Sequence, residues 1–252
     1  MTHDVDAEGP GPEPDRRAGG RRTRFMGVAV AALAVAGSFV YALQGHDRSA
    51  TSAYAAVLGA PTNAAPFSPI GQFFPAGSIL WRGGKPELLF VGTAGCPYCA
   101  VERWSVVKAL SQFGTFSGLE KTDNGSGIPT YDLSQTRYRS PYVALVVDDA
   151  DLPPFNKAEA QLFLHADSQG GTPLVSAGGY AMVGSYLGPD ELSGRSFASV
   201  ENALRNGSRQ SFVDHINAEA NVLTALLCRA DGMQPRSVCG RALILRLVRS
   251  MK

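Results

Sequence analysis

Apolar and polar positions change their spacing several times along the chain, and each change marks an element. Residues 25–43, FMGVAVAALAVAGSFVYAL, run for 19 positions without a charge. Residues 78–81 read as a short strand, 82–86 as a turn and 87–91 (ELLFV) as a buried strand, which Gly92-Thr93-Ala94-Gly95 ends. Behind Cys99, Val106, Leu110 and Phe113 recur at helical spacing, with Glu102, Lys108 and Gln112 expected on a wetter side. Residues 142–147 predict a strand, and 157–165 a short helix with Ala160, Phe163 and Leu164 on its apolar side. Two short apolar runs around Gly178-Gly179 predict an antiparallel hairpin, the first opened by Thr172-Pro173. Phe212, Ile216, Leu223 and Leu227 predict a long amphipathic helix over 211–227 that ends at Cys228.

Composition narrows the classes. A chain of 252 residues that is 44% hydrophobic has apolar material for one globular domain with an appendage. Basic and acidic residues number 23 and 22, a net charge of +1, so no global field draws in nucleic acid. Gly 28 and Pro 16 are too few for a collagen-like or wholly disordered chain. Four cysteines in this length do not make a disulfide-rich miniprotein, so their spacing carries the information.

The first 68 residues read as a membrane end. Residues 1–24 mix Gly, Pro and charge with almost nothing to bury and are expected to be disordered. As a helix, residues 25–43 would span about 28 Å, close to the roughly 30 Å of a hydrocarbon core. Arg16, Arg17, Arg21, Arg22 and Arg24 precede this run, so the positive-inside rule sets the N-terminus in the cytoplasm and the rest of the chain outside. A cleaved signal peptide is the alternative, with Ala53-Tyr54-Ala55 a weak cleavage site, but the length of the run favours an uncleaved anchor. Arg21-Arg22 also invites a twin-arginine reading, from which Phe25 departs by one position. Residues 44–68, rich in Ala, Ser, Thr and Pro, suit a flexible tether, and the compact domain is expected over 69–240. Every one of these routes leads to an oxidising space, where disulfides persist.

Cys96-Pro97-Tyr98-Cys99 falls where a strand hands over to a helix. An ordinary thiol is only about 3% thiolate at pH 7, and the thiolate is the form that attacks a disulfide. Lowering its pKa by about two units takes a differential stabilisation near 2.7 kcal/mol. A helix dipole supplies roughly 0.3 to 2 kcal/mol, so hydrogen bonds from first-turn N–H groups must add the rest. Cys96 is then the better placed nucleophile and Cys99, one turn deeper, the resolving thiol. Pro97 suits the first helical turn. An inert disulfide and half of a zinc site are the alternatives; zinc lacks ligands, since His3, His46, His165 and His215 form no HxxxH and no second CxxC stands near them.

Strand, CPYC, helix, a later Thr-Pro, a hairpin and a closing helix together resemble the thioredoxin superfamily. The string GKPELLFVGTAGCPYCAVERW (84–104) resembles an uncharacterised family of membrane-anchored, extracytoplasmic thioredoxin-like proteins, and the likeness runs over about residues 66–240. It implies an α/β, thioredoxin-like fold, a central mixed sheet flanked by helices, preceded by one N-terminal transmembrane helix. It also implies that Cys96 and Cys99 are the redox pair and that Pro173 is a cis-proline beside them, with Pro97, Tyr98 and Thr172 shaping the substrate site. Six residues before the first cysteine, where thioredoxins carry a buried Asp, this chain has Phe90. Glu102 is the nearest acid, either a proton relay or a solvated helix charge. Trp104 either shapes the groove or simply packs.

Cys228 and Cys239 flank a Gly- and Pro-containing loop and form either a structural disulfide or a shuttle pair with Cys96. Residues 241–252 are expected to form a basic amphipathic C-terminal helix that docks on the domain or touches anionic lipid. Asp148, Asp149 and Asp151 read as a solvated turn, lacking the Gly and closing Glu of a calcium loop. No phosphate-binding glycine loop, Gly-x-Ser-x-Gly elbow or internal repeat is present. The expected activity is thiol-disulfide exchange on protein thiols and disulfides or small thiols, with no cofactor and no metal, in a cell-membrane protein with access to a redox partner in the same membrane. The rival is a redox-inert binding or scaffold module that keeps a static disulfide.

Overall fold

The computed structural model describes Leu58 and residues 69–123, 125–149, 155–166 and 170–251. All the described residues belong to one compact unit, which lies within Gly45–Lys252. The arm expected over 1–24, the membrane helix expected over 25–43 and all of the 44–68 tether except Leu58 lie outside the described residues. Among the described residues no helix is long and apolar enough to cross a membrane.

The fold is mixed α/β. Its principal strands are β1 (Phe74–Pro75), β2 (Trp81–Arg82) and β3 (Lys85–Gly92), followed by β4 (Thr115–Ser117), β5 (Glu120–Thr122), β6 (Thr130–Asp132), β7 (Arg137–Arg139), β8 (Ala144–Asp149), β9 (Leu174–Ala177) and β10 (Tyr180–Val183). The helices are α1 (Pro97–Leu110), α2 (Lys157–Ala166), α3 (Phe197–Arg205), α4 (Ser211–Ala230), α5 (Arg236–Cys239) and α6 (Ala242–Ser250). Short 3-10 turns stand at Pro69–Gln72 and Pro189–Glu191.

β3 is the hub. It runs parallel to β8 and antiparallel to β9, while β9 pairs with β10 and β10 with β1, so the sheet is mixed. β2 pairs with the first two residues of β3 across the Gly83-Gly84 turn, beginning three residues later than the strand expected at 78–81. From Pro86 to Gly92 every residue of β3 is buried, as a strand covered on both faces requires. Leu88 and Phe90 face the cluster that contains α1 and α4; Leu89 and Val91 face Leu162 of α2. On α2 the buried apolar residue is Leu162, with Phe163 half-buried, whereas Leu164 is exposed, so the apolar side is rotated from its expected position. Two separate ribbons, β4 with β7 and β5 with β6, lie outside this sheet.

The β9–β10 hairpin turns at Gly178-Gly179, both at positive φ, as a two-residue hairpin loop requires. A Cβ on Gly178 would also meet the Leu226 carbonyl oxygen at 2.5 Å, so this glycine lets the hairpin lie against α4.

α1 differs most from its sequence expectation. Glu102 and Lys108 do not face solvent: every residue from Cys99 to Leu110 is buried. The cause is tertiary, because α4, β6, the 3-10 turn at Pro189–Glu191 and Leu58 surround a helix whose own pattern left one side polar. Leu58, within the expected tether, is itself buried, and its carbonyl accepts a hydrogen bond from Lys108 Nζ. At the C-terminus α6 packs on α4 through Ile244 and Leu247, leaving Arg246 and Arg249 exposed.

Candidate functional site

The sheet delivers the CPYC segment to the start of α1. β3 ends at Gly92, Gly95 takes φ +73, and Cys96 is the helix N-cap in extended conformation. Its Sγ accepts the backbone N–H of Cys99 at 3.1 Å, doing with sulfur what a Ser or Asp oxygen does at an ordinary cap. Pro97 occupies the first helical turn, where its missing N–H leaves nothing unpaired. No acidic side chain stands in that turn, so none there opposes the helix dipole in stabilising negative charge on Cys96.

Cys96 and Cys99 form a disulfide, their Cα atoms 5.2 Å apart. The two sulfurs are unequal: Cys96 is half-buried and Cys99 fully buried, while Pro97 and Tyr98 are exposed, Tyr98 to 50%. Cys96 is therefore the sulfur an outside thiol reaches first. Opposite it lies Thr172, whose carbonyl oxygen and Oγ1 are each 3.9 Å from Cys96 Sγ. A disulfide sulfur has no proton, so of these two contacts only the Thr172 hydroxyl can donate in the oxidised state. The Thr172–Pro173 peptide is cis, and the Gly184 N–H donates to the Pro173 carbonyl at 2.7 Å, fixing this segment to the end of β10.

Beneath the disulfide the packing is tight. A Cβ on Gly92 would lie 2.8 Å from Phe90 Cε1 and 3.5 Å from Cys99 Cβ. Buried Arg103 stands over the Phe90 ring, 5.7 Å from its centroid, and reaches the Thr93 carbonyl at 3.5 Å. Trp104 is a packing residue and not part of a groove: its indole N–H donates to Pro129 O at 2.8 Å, and its ring lies 4.8 Å from those of Tyr131 and Phe197.

Glu102 points inward and meets a second acid, Glu219 of α4. Both are fully buried, and burial holds both carboxyls above the ordinary range, Glu102 the more strongly because the Glu219 charge adds to the effect. Ser105 Oγ donates to Glu219 Oε2 at 2.8 Å. Such a pair keeps a proton near neutrality, because two adjacent carboxylates cannot both stay ionised out of water. Glu219 was not singled out by the sequence reading, although a signal existed: 212, 216, 219 and 223 follow the apolar helical stripe, and the residue at 219 is a glutamate.

Cys228 and Cys239 form the second disulfide, buried at the end of α4. Cys228 lies nine residues beyond Glu219, about 13 Å along the helix axis. Neighbouring Leu226 sits against the Gly178 turn, at the far end of β9 from Thr172. This bond joins the end of α4 to the end of α5, on the side of the Gly178 turn. Asp148 and Asp149 end β8, and among the described residues no group of three or more His, Cys, Asp or Glu side chains gathers to hold a metal.

The described residues thus define a mixed α/β domain with a disulfide capping its first helix. A family model described as a domain of unknown function (DUF929) matches residues 77–153, a stretch that includes β2, the CPYC segment and β8. No curated protein and no solved structure matches the chain.

Proposed function

We propose that the chain is a thioredoxin-like thiol-disulfide oxidoreductase, held outside a membrane by its N-terminal segment, that acts on protein or small-molecule thiols and disulfides. The observation that carries this reading is the inequality of the two sulfurs: Cys96 is half-open at a helix N-terminus, and Cys99 is sealed beneath it within bonding distance. In the reducing direction the Cys96 thiolate attacks a substrate disulfide, forming a mixed disulfide and releasing one substrate thiolate. Cys99 then attacks the Cys96 sulfur, the internal disulfide forms, and the second substrate thiolate leaves. Oxidation of a substrate is the same path reversed.

Two further features support the reading. The succession of β3, the cysteines, α1, Thr172-Pro173, the β9–β10 hairpin and closing helices is the one on which the resemblance to thioredoxins rests, and β3 pairs with both β8 and β9 in one mixed sheet. Thr172 and Pro173 stand beside Cys96, where their backbone would pair with an extended substrate chain.

A Cys99→Ser variant tests this directly. It is expected to trap substrates as disulfides to Cys96 in the native compartment, and these are released by reductant. Absence of any such adduct, together with a reduction potential for the wild-type pair below about −300 mV, would leave an inert structural bridge.

A further inference from the structure

We propose that the arginines from Arg229 to Arg249 form a face that binds the phosphate headgroups of an anionic lipid surface and seats the domain there with Cys96 turned away. The proposal shares a nearby bilayer with the reading above but uses none of its thiol chemistry.

Charge is divided unevenly along the chain. Residues 229–252 carry six basic side chains and one acid, Asp231, whereas residues 69–228 carry eleven basic and fifteen acidic ones. The fold gathers the basic set on consecutive elements: Arg229 in the last turn of α4, Arg236 on α5, Arg241 before α6, and Arg246 and Arg249 on α6. The Cys228–Cys239 disulfide ties α4 to α5, while Ile244 and Leu247 seat α6 on α4. Arg246 and Arg249, three positions apart, are therefore neighbours on the outer side of α6. Arg229 and Arg236 are exposed as well, and Arg241 is half-buried. Among the described residues no carboxylate pairs with any of the five. Arg229 reaches Tyr180 Oη at 3.4 Å and Arg241 Nε the Val238 carbonyl at 3.0 Å, both neutral partners that leave the charges uncompensated.

The make-up of the face selects the ligand. A protein partner is gripped through buried aromatic or aliphatic anchors, yet the exposed large hydrophobics among the described residues, Trp81, Tyr98 and Leu164, all lie outside this segment. Phosphates spread over a bilayer need only charge, and the guanidinium fork donates two hydrogen bonds to one phosphate. At an anionic surface each arginine adds about fivefold to partitioning, and the four exposed ones together roughly 600-fold. The acidic surplus over 69–228 confines that attraction to this one face. Its place on the sheet sets the orientation. Leu226, three residues before Arg229, lies against Gly178, and neighbouring Ala177 pairs with Leu88 near the start of β3. Cys96 follows the other end of that strand, beyond Gly92, which is about 13 Å of extended chain from Leu88. Docking through the arginines thus leaves the disulfide on the aqueous side.

The test follows contact in the full chain, labelled with a nitrobenzoxadiazole dye through Ser250→Cys at the exposed end of α6 and incorporated into vesicles that carry a nitroxide-headgroup lipid as quencher. The dye should be quenched in phosphatidylcholine vesicles containing phosphatidylglycerol and not in phosphatidylcholine alone, and the quenching should vanish at about 0.5 M salt. Adding Arg246→Glu and Arg249→Glu should lower the ratio of docked to undocked domain at least about 25-fold. Equal quenching in the two lipid compositions, or quenching that survives salt, overturns the proposal without recourse to the charge-reversed protein. A charge-reversed chain that folds and docks unchanged overturns it too. Retention on a polyglutamate resin with no response to phosphatidylglycerol would assign the face to an acidic protein and equally overturn it. Orientation is read from reduced Cys96, which should react with uncharged iodoacetamide at the same rate in both vesicle types. A severalfold slower reaction with phosphatidylglycerol refutes the outward placement. A Cys96 that cannot be reduced strikes the exchange reading instead, and the quenching still decides the lipid contact.

Discussion

Lys108, buried in the middle of α1, donates from Nζ to the backbone carbonyl of Leu58, fifty positions earlier in the chain. An ammonium with this one carbonyl partner is poorly compensated for lost water, and burial pushes its pKa down to about 8. The unfolded chain holds the proton to a pH near the ordinary lysine value of 10.5, so between about 8 and 10.5 the unfolded state binds more protons than the folded state. Stability contributed by this residue therefore rises with pH across that window, by up to about 3 kcal/mol. Lys108→Met is expected to remove the rise. Urea unfolding of both proteins at pH 7, 9 and 10 checks it, and parallel pH trends would refute it.

Arg82 bridges two buried carboxylates, Glu87 at 2.9 Å and Glu159 of α2. Glu87 already titrates above its ordinary value, chiefly through burial and against the pull of Arg82. A carboxyl whose pKa is raised on folding stabilises the fold at low pH and loses that contribution as pH rises through the folded value. Arg82→Ala should raise it further. The variant is expected to lose about 1 to 3 kcal/mol at pH 7, discounted because the arginine is half exposed. The deficit should shrink on acidification to pH 4.5, which denaturant midpoints at the two pH values measure.

The Cys228–Cys239 bond closes an 11-residue separation. In the chain-entropy model its removal costs about 3 kcal/mol. A Cys228→Ala, Cys239→Ala double variant should melt at lower temperature yet keep the Ellman reactivity of Cys96. Loss of that reactivity in a folded variant would favour the shuttle reading over the structural one.

Gly92 has room for no side chain, with Phe90 and Cys99 closing on the position of its Cβ. Gly92→Ala is expected to destabilise by about 1 to 3 kcal/mol and to alter the reduction potential of the CPYC pair. Phe90→Leu in the same background should recover part of the stability by withdrawing the ring edge. No recovery would place the strain elsewhere.

How far the sequence discloses this molecule depends on whether a signal is local. The ELLFV strand, the Gly-Gly hairpin and the CPYC cap are legible because period, turn chemistry and capping act over a few residues. Strand ends shift by two or three positions, as β8 shows by starting at Ala144 and not at 142. Helix faces are less secure. The charges of Glu102 and Lys108 suggested solvent, yet what decides their burial is the crossing of α4 and the return of Leu58, contacts that span from 50 to more than 100 positions. Glu219 was hidden by the same habit of reading carboxylates as wet. The separation of the second disulfide from the first is likewise a property of where α4 ends, which spacing alone does not give.

Because α1 is enclosed from Cys99 onward, the helix that bears the sulfurs offers no outer flank to a substrate of the proposed thiol-disulfide exchange. Diversification of such a protein is confined to its doorstep, at Pro97, Tyr98, the Thr93–Gly95 approach and the threonine across the gap. On the proposed reading, substitutions at those positions would act on the approach to Cys96, whereas substitutions further along α1 would act on the core.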